Sequence, residues 1–244
     1  MRVALFVACF NDALYPEVGR ATVRILEALG HEVHFPDQQT CCGQVHFNTG
    51  YRDACVPLVQ RFTDAFAGYD AVVTPSASCA AMVRHHHGTV ARHARDDQLE
   101  AAAAGLSPRV HELTEFLLEI DGAPLAGGSF PYKVALHTTC HSSRLLGIGD
   151  RPRRLLNTVP GLQLVELPDA DQCCGFGGTF AVKNEATSVA MGIDKVASIE
   201  ASGADVLTAA DTSCLMHIGG LLSRRRSRVR VLHLAEILAA GLPA

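Results

Sequence analysis

This 244-residue sequence has no apolar run long enough to cross a membrane, because Arg, Asp, Glu or His interrupts every apolar stretch before the roughly 18 residues that a spanning helix needs. It has no excess of basic charge either. The 21 Lys and Arg stand against 25 Asp and Glu, which argues against nucleic acid as the main partner. Charged residues make up only 19% of the chain and apolar residues 48%, the balance of a folded protein rather than a disordered one.

A dinucleotide-binding fingerprint is also missing. Residues 175–178 are rich in glycine, but Phe180 stands where the fingerprint requires its last glycine. A protein that removes two electrons and two protons from a substrate needs a group that can take a hydride, such as a flavin or a nicotinamide. We therefore do not expect this chain to be a complete dehydrogenase.

Cysteine, in contrast, is abundant. Nine cysteines is an odd number, and the chain is too long to be a small disulfide-stapled scaffold. Residues 1–10 superficially resemble a short secretion signal, but a similar segment recurs at residues 133–140, where no signal can act. Both segments are predicted to be buried strands. We expect a cytoplasmic location, in which the thiols are free for metal binding or redox chemistry.

The cysteines belong to an internal repeat, which predicts a duplicated chain. The matching pairs, at offsets of 131 to 135 residues, are Cys9 with Cys140, Cys41 with Cys173, Cys42 with Cys174 and Cys79 with Cys214. A connector rich in Gly and Pro, residues 121–131, lies between the two copies. The predicted domains are residues 1–122 and residues 123–244, each a cysteine-rich repeat.

Each half alternates strands and helices. In the first half, the apolar pattern predicts strands at residues 3–8, 32–35 and 71–74 and helices at residues 16–29 and 53–66. Nearly continuous apolar strands that alternate with helices are typical of a parallel sheet covered by helices. The predicted fold is α/β, with two tandem parallel-sheet (Rossmann-like) units related by duplication. The strand order does not follow from this pattern.

The repeated cysteines follow the carboxyl ends of the predicted strands. These ends share one edge of a parallel sheet, and open α/β sheets bind their ligands at that edge. We therefore expect two convergent groups, which we name the first cysteine set (Cys9, Cys41, Cys42, Cys79) and the second cysteine set (Cys140, Cys173, Cys174, Cys214). Cys55 has no counterpart in the second half and is predicted to be a core residue.

Two matched sets of four thiols favour metal binding over simple burial, although a buried cysteine can act as a small hydrophobe. Structural zinc usually takes two Cys-x-x-Cys pairs, and the adjacent cysteines of each set strain that geometry. An iron–sulfur cluster offers several irons to adjacent thiolates. Gly43 and Gly175 suit a close approach of the backbone to such a cluster.

This pattern of Cys, Cys-Cys-Gly and Cys, repeated over the whole chain, resembles the cysteine-rich CCG-domain family, whose members include a component of heterodisulfide reductase and the iron–sulfur component of glycolate oxidase. The two-repeat length and residues 213–220 are most similar to the branch that serves lactate utilisation. The resemblance implies an iron–sulfur electron-transfer component of a complex that oxidises L-lactate to pyruvate. It also implies partners, a ferredoxin-like iron–sulfur protein and a third small subunit.

The sequence departs from the fuller family pattern, in which each repeat ends in Cys-x-x-Cys. Met82 stands three residues after Cys79, and His217 stands three residues after Cys214. Each set then supplies four thiolates at most, with His217 as a candidate extra ligand. We expect a [4Fe-4S] cluster in one or both halves. If one half alone is loaded, we expect it to be the second, and zinc in one half is the alternative.

Five histidines lie near the cysteines without a defined role. His85, His86 and His87 are consecutive, so on a helix they cannot all face one ion, and we expect a solvated helix. His137 and His141 flank Cys140 and are candidates for hydrogen bonds to the cluster ligands or for proton transfer.

Two other functions stay open from the sequence. In one, zinc stabilises the chain as a scaffold for partner proteins. In the other, suggested by the resemblance to heterodisulfide reductase, Cys173 and Cys174 exchange with a disulfide substrate. The electron-transfer role is favoured because two convergent thiol sets occur without a substrate-cofactor motif.

Overall fold

The computed structural model describes residues 1–122 and 128–242. The chain divides into two compact units, residues 1–123 and 124–244, and each is described by itself. Residues 123–127 of the predicted connector lie outside the described residues, as do residues 243–244.

The first unit alternates strands and helices. Its strands are β1 (Arg2–Leu5), β2 (Glu32–His34), β3 (Ala71–Thr74) and β4 (Val110–Glu112). Its helices are α1 (Cys9–Leu14), α2 (Pro16–Ala28), α3 (Gln44–Thr49), α4 (Arg52–Phe66), α5 (Ala77–Ala94), α6 (Asp97–Leu106) and α7 (Leu113–Glu115). A short 3-10 turn (Ser107–Arg109) precedes β4, and a π-helical turn (Phe116–Asp121) continues α7.

The second unit repeats this order with fewer helices. Its strands are β5 (Lys133–Leu136), β6 (Gln163–Val165), β7 (Val206–Ala209) and β8 (Arg230–His233). Its helices are α8 (Arg151–Leu156), α9 (Phe180–Lys183), α10 (Glu185–Ala201), α11 (Thr212–Arg224) and α12 (Leu234–Leu238). A π-helical turn (Ser142–Leu146) follows β5.

Each unit contains one four-stranded parallel sheet, and the two strand orders are equivalent: β2-β1-β3-β4 and β6-β5-β7-β8. All the strand pairs are parallel. The strand order reverses between β1 and β3 and between β5 and β7, which is where doubly wound sheets bind ligands. The predicted fold class, two duplicated parallel-sheet α/β units, is confirmed.

Buried side chains and a repeated carboxylate position the strands. Every residue of β3 and of β7 is buried, as expected for inner strands covered by helices on both faces. The Asp70 carboxylate accepts a hydrogen bond from the Arg2 N–H at 2.8 Å, and Asp205 accepts one from the Lys133 N–H at 2.9 Å. These bonds fix the start of β1 and β5 against the following inner strand.

The strand β1 is shorter than its apolar run predicts. The Phe6 N–H still donates to the Val73 carbonyl at 2.8 Å, but the Val7 N–H donates to the Gln39 side chain at 2.9 Å. The chain therefore leaves the sheet after Phe6 and delivers Cys9 to the sheet edge.

Among the described residues, no helix is both long enough and apolar enough to span a membrane.

Candidate metal centres

Three elements bring the first cysteine set to the carboxyl edge of its sheet. Cys9 is the first residue of α1, just after β1, and Cys79 lies in the first turn of α5, just after β3. Cys41 and Cys42 lie in the loop between β2 and α3. The Ser76 side chain caps α5 and accepts a hydrogen bond from the Cys79 N–H at 3.3 Å. The start of a helix stabilises a thiolate, because its N–H groups carry partial positive charge.

The four sulfurs of the first set form one connected group. The Sγ atoms of Cys9 and Cys41 are 3.9 Å apart. Cys41 also shares a hydrogen bond with Cys42, and Cys42 shares one with Cys79. All four are free thiols. The structure therefore brings the whole predicted set together.

The second cysteine set has the same order of sulfur contacts. Cys140 shares a hydrogen bond with Cys173, Cys173 shares one with Cys174, and Cys174 shares one with Cys214. Cys214 lies in the first turn of α11, as Cys79 does in α5. Two groups of four thiols in one arrangement are hard to explain by core packing alone.

The glycine of each Cys-Cys-Gly sequence turns the backbone toward a sulfur. Gly43 and Gly175 have φ angles of 91° and 92°, a conformation that L-residues rarely adopt. The Gly43 N–H donates to Cys41 Sγ at 3.4 Å, and the Gly175 N–H donates to Cys173 Sγ at 3.4 Å. Such N–H groups stabilise negative charge on sulfur.

Hydrogen bonds within each set lower the pKa of one thiol and raise the pKa of two others. The pKa of Cys41 is lowered because its sulfur accepts hydrogen bonds from Cys42 and then from Cys9. The pKa of Cys173 is lowered for the same reason, by Cys140 and then by Cys174. The donors move the opposite way: hydrogen bonds within the set, together with burial, raise the pKa of Cys9, Cys42, Cys140 and Cys174. Because a metal ligand must be a thiolate, binding of a cation would release these protons.

The donor chemistry of both sets fits an iron–sulfur cluster or zinc, since both take thiolate ligands. Cys42 and Cys174 are buried, 4% and 2% exposed, whereas Cys9 is exposed and Cys140 is half-buried. Each set thus extends from the core of its unit to the surface. A redox group held there would be within reach of a partner protein.

Cys55 does not belong to either set. Its thiol donates to the Gly43 carbonyl at 3.6 Å and to the Tyr51 carbonyl at 3.4 Å. In the second unit, the Ser188 hydroxyl donates to the Gly175 carbonyl at 2.8 Å. Cys55 therefore has a counterpart, contrary to the expectation from the sequence, and that counterpart is a serine.

The surroundings of the two sets differ at three equivalent positions, which are apolar in the first unit and ionisable in the second. Phe6 and His137 stand at the same spacing from Cys9 and Cys140. Phe62 and Lys195 stand at the same spacing from Cys55 and Ser188. Met82 and His217 stand at the same spacing from Cys79 and Cys214. In the first unit all three are core residues, at most 1% exposed. At these three positions the second set is therefore surrounded by ionisable residues and the first by apolar ones.

Lys195 is the residue of this group that the sequence reading missed. It is fully buried in α10, and its ammonium donates to the Asp169 carbonyl. Burial lowers the pKa of Lys195, and the Asp169 carboxylate opposes that shift. The sequence contained one indication of this residue, namely a lysine at a position where the first repeat has Phe62.

His87 corrects the expectation that the three consecutive histidines lie on a solvated helix. His85 is exposed, but His87 is 1% exposed, and its Nε2 is hydrogen-bonded to the Cys42 carbonyl at 2.9 Å. Burial lowers the pKa of His87 to about 4. The physical reason is helical periodicity, which places His87 on the same face of α5 as Val83 and Val90, toward the core.

Among the candidate histidines of the second unit, His137 lies beside two of the cysteines. A ring nitrogen of His137 and the Sγ atoms of Cys174 and Cys214 all lie within 4.8 Å of one another. His217 instead directs its Nε2 to the Ser188 carbonyl at 3.4 Å. His141 is half-buried beside Cys140. His217 as an extra ligand stays a prediction, as does His141 as a donor of hydrogen bonds to the cluster ligands or as a proton-transfer group.

Comparison with known proteins agrees with this arrangement. The cysteine-rich domain (CCG) family matches the chain twice, at residues 3–84 and 134–219. The chain belongs to this family, and the resemblance noted from its sequence is confirmed.

Individual relatives align with nearly the whole chain. It is similar to "Lactate utilization protein A" of Geobacillus kaustophilus, with 46% identity over 98% of this chain and 99% of the relative. It is also similar to "Lactate utilization protein A 2" of Bacillus cereus strain Q1, with 43% identity over 99% of both chains. Among solved structures, an aspartate racemase homologue from Pyrococcus horikoshii aligns over 98% of this chain and 95% of its own, with 11% identity and a TM-score of 0.34, a likeness too weak to carry an argument.

Proposed function

We propose that this protein is an iron–sulfur electron-transfer subunit of a cytoplasmic complex that oxidises L-lactate to pyruvate. The main observation behind this proposal is that both units bring together four free thiols, with the same order of contacts, at the sheet edge where such folds bind ligands. The substrate comes from the relatives, which are named for lactate utilisation.

The thiol chemistry supports iron–sulfur clusters, one in each unit. Clusters require several thiolates, and N–H groups directed at sulfur tune their potential. Both sets offer these features, with Cys41 and Cys173 each accepting an N–H from the following glycine. A cluster bound to either set would carry one electron at a time.

A relay role follows from the electron count. Oxidation of lactate to pyruvate releases two electrons and two protons, and a one-electron cluster cannot accept a hydride. Another component of the complex must therefore take the hydride. The resemblance to the family implies two partners, a ferredoxin-like iron–sulfur protein and a third small subunit. The exposed Cys9 and the half-buried Cys140 place the two sets where such partners could exchange electrons with them.

Zinc is the second candidate, and one distance favours it. The separation of 3.9 Å between the Sγ atoms of Cys9 and Cys41 is close to the roughly 3.8 Å edge of a tetrahedron built from zinc–sulfur bonds of about 2.3 Å. In this case the chain would be a zinc-stabilised scaffold. Stoichiometric zinc without iron, in protein handled under strict anaerobic conditions, would favour it.

The proposal is tested by lactate-dependent reduction of the complex. The complex is isolated anaerobically through a tag on this chain, from its own source grown on L-lactate, and electron paramagnetic resonance spectra are recorded before and after addition of L-lactate. We expect a reduced-cluster signal that pyruvate does not produce and that disappears in Cys174→Ser. The control is Cys55→Ser, which removes a thiol outside both sets and should keep the signal. Identical signals in Cys174→Ser and wild type would contradict the proposal for the second unit.

A further inference from the structure

His137 occupies a position that the duplicated fold fills with an apolar ring in the other unit. It lies just after β5, three residues before Cys140, and Phe6 lies three residues before Cys9. Phe6 is fully buried and packs edge-on against Phe62, with ring centroids 5.0 Å apart. The architecture of the unit therefore does not require a histidine there.

The His137 ring is buried, and the residues that the structure describes offer neither of its nitrogens a well-formed hydrogen bond. His137 is only 1% exposed to solvent. Within residues 1–122 and 128–242, neither ring nitrogen makes a hydrogen bond of acceptable geometry, although the Ala170 backbone lies close enough to affect protonation of the ring. A buried polar group without a partner is costly, and a phenylalanine at this position would avoid that cost.

The ring is directed toward the second cysteine set. One of its nitrogens lies within 4.8 Å of both Cys174 Sγ and Cys214 Sγ, and these two sulfurs lie within the same distance of each other. A neutral imidazole and thiolates together suit both iron and zinc. An imidazole binds a metal through a ring nitrogen that carries no hydrogen, and a neutral imidazole has one such nitrogen.

We propose that His137 donates an imidazole nitrogen to the metal centre of the second unit, beside Cys174 and Cys214. The inference rests on the proposed function, because it takes that centre to be an iron–sulfur cluster. A cavity of about 20 Å³, lined by His137 and Thr139 among others, is large enough for one water molecule that could bind the second ring nitrogen. Metal-bound imidazoles usually form such a second hydrogen bond.

The consequence is that the two centres differ in kind. The first set has Phe6 at this position and offers only sulfur, whereas the second offers sulfur and nitrogen. If His137 takes the place of one of the four thiolates on the cluster, the cluster carries one negative charge less, and such replacement raises the reduction potential of iron–sulfur clusters. The second centre is therefore expected to accept an electron before the first.

The test measures nitrogen coupling to the reduced cluster. Full-length protein is produced with histidine carrying the heavy nitrogen isotope, loaded anaerobically with iron and sulfide, reduced, and studied by pulsed electron paramagnetic resonance. We expect one strongly coupled histidine nitrogen, whose coupling disappears in His137→Phe, the residue of the first unit, and persists in His217→Gln. We also expect the potential of the second centre to fall in His137→Phe.

A second variant covers the case in which His137→Phe does not fold. In His137→Cys a thiolate can replace the imidazole, so iron content should match wild type while the nitrogen coupling is lost. Coupling that persists in His137→Cys, or wild-type protein that binds iron and sulfide without any strongly coupled nitrogen, would overturn the inference and leave the proposed function intact. Wild-type protein that binds neither iron nor sulfide would overturn both.

Discussion

At the residue scale, Cys55 and Ser188 have the same role in the two units. Each lies in the second helix after a Cys-Cys-Gly sequence, α4 or α10, and donates to the carbonyl of its glycine, Gly43 or Gly175. A hydroxyl is a poor substitute for a metal-binding thiolate but a good substitute for a hydrogen-bond donor. The serine in the second unit thus indicates that Cys55 holds the loop and does not bind metal.

Replacement of Cys55 by serine should therefore have little effect. We expect Cys55→Ser to retain the iron and sulfide content of wild type and a free energy of unfolding within about 1 kcal/mol of it, because the donor to the Gly43 carbonyl is kept. Metal analysis and chemical denaturation measure both quantities. Loss of about half the iron would instead place Cys55 among the ligands.

Two residues near the second cysteine set could not be predicted from the sequence. The eight paired cysteines are visible because each is matched by an identical residue. Ser188 and Lys195 are not visible in this way, because their counterparts, Cys55 and Phe62, are of another type. Their roles depend on contacts across helix α10 that only the folded chain defines.

At the scale of elements, the two Cys-Cys-Gly loops differ in how tightly they pack. A Cβ atom on Gly175 would overlap the Ser188 carbonyl oxygen and crowd Met191. On Gly43 it would meet side-chain atoms of Leu58 and Met82 at 3.7 Å and of Cys55 at 3.9 Å, which is ordinary contact. Both glycines have positive φ angles. The second loop therefore tolerates a side chain less well than the first.

This difference predicts unequal effects of the same substitution. We expect Gly43→Ala to lower the free energy of unfolding by about 1–2 kcal/mol, the cost of a left-handed conformation, and Gly175→Ala to lower it by about 3 kcal/mol or more, because overlap adds to that cost. Denaturation of both variants under identical conditions provides the comparison. Equal losses would mean that the α10 backbone moves away from the loop without cost.

The elements themselves were largely predictable, and their arrangement was not. Apolar runs and helical spacing indicated β3 and, within two residues, α2 and α4. The strand order β2-β1-β3-β4 was not predictable, because it depends on how helices pack across the sheet rather than on any local pattern. The strand order places Cys9, after β1, and Cys79, after β3, on either side of the point where the order reverses. The sequence predicted their convergence only by analogy with other α/β sheets.

At the scale of the whole molecule, duplication has kept the thiols and changed their surroundings. Both units retain the repeated set of four cysteines, the glycine turn and the carboxylate that fixes the first strand. The second unit replaces Phe6, Phe62 and Met82 by ionisable residues. Because local charge and hydrogen bonding set the potential of an iron–sulfur cluster, the proposed clusters of the two units would differ in reduction potential.

The central claim, that each cysteine set holds an iron–sulfur centre, is tested most directly by metal analysis. Iron, acid-labile sulfide and zinc are measured in anaerobically purified wild type, Cys42→Ser, Cys174→Ser and the double variant. We predict brown wild-type protein with iron and sulfide, partial loss in each single variant with the larger loss in Cys174→Ser, and complete loss in the double variant. Colourless wild-type protein without iron or sulfide after reconstitution, or a double variant that retains both, would contradict the account.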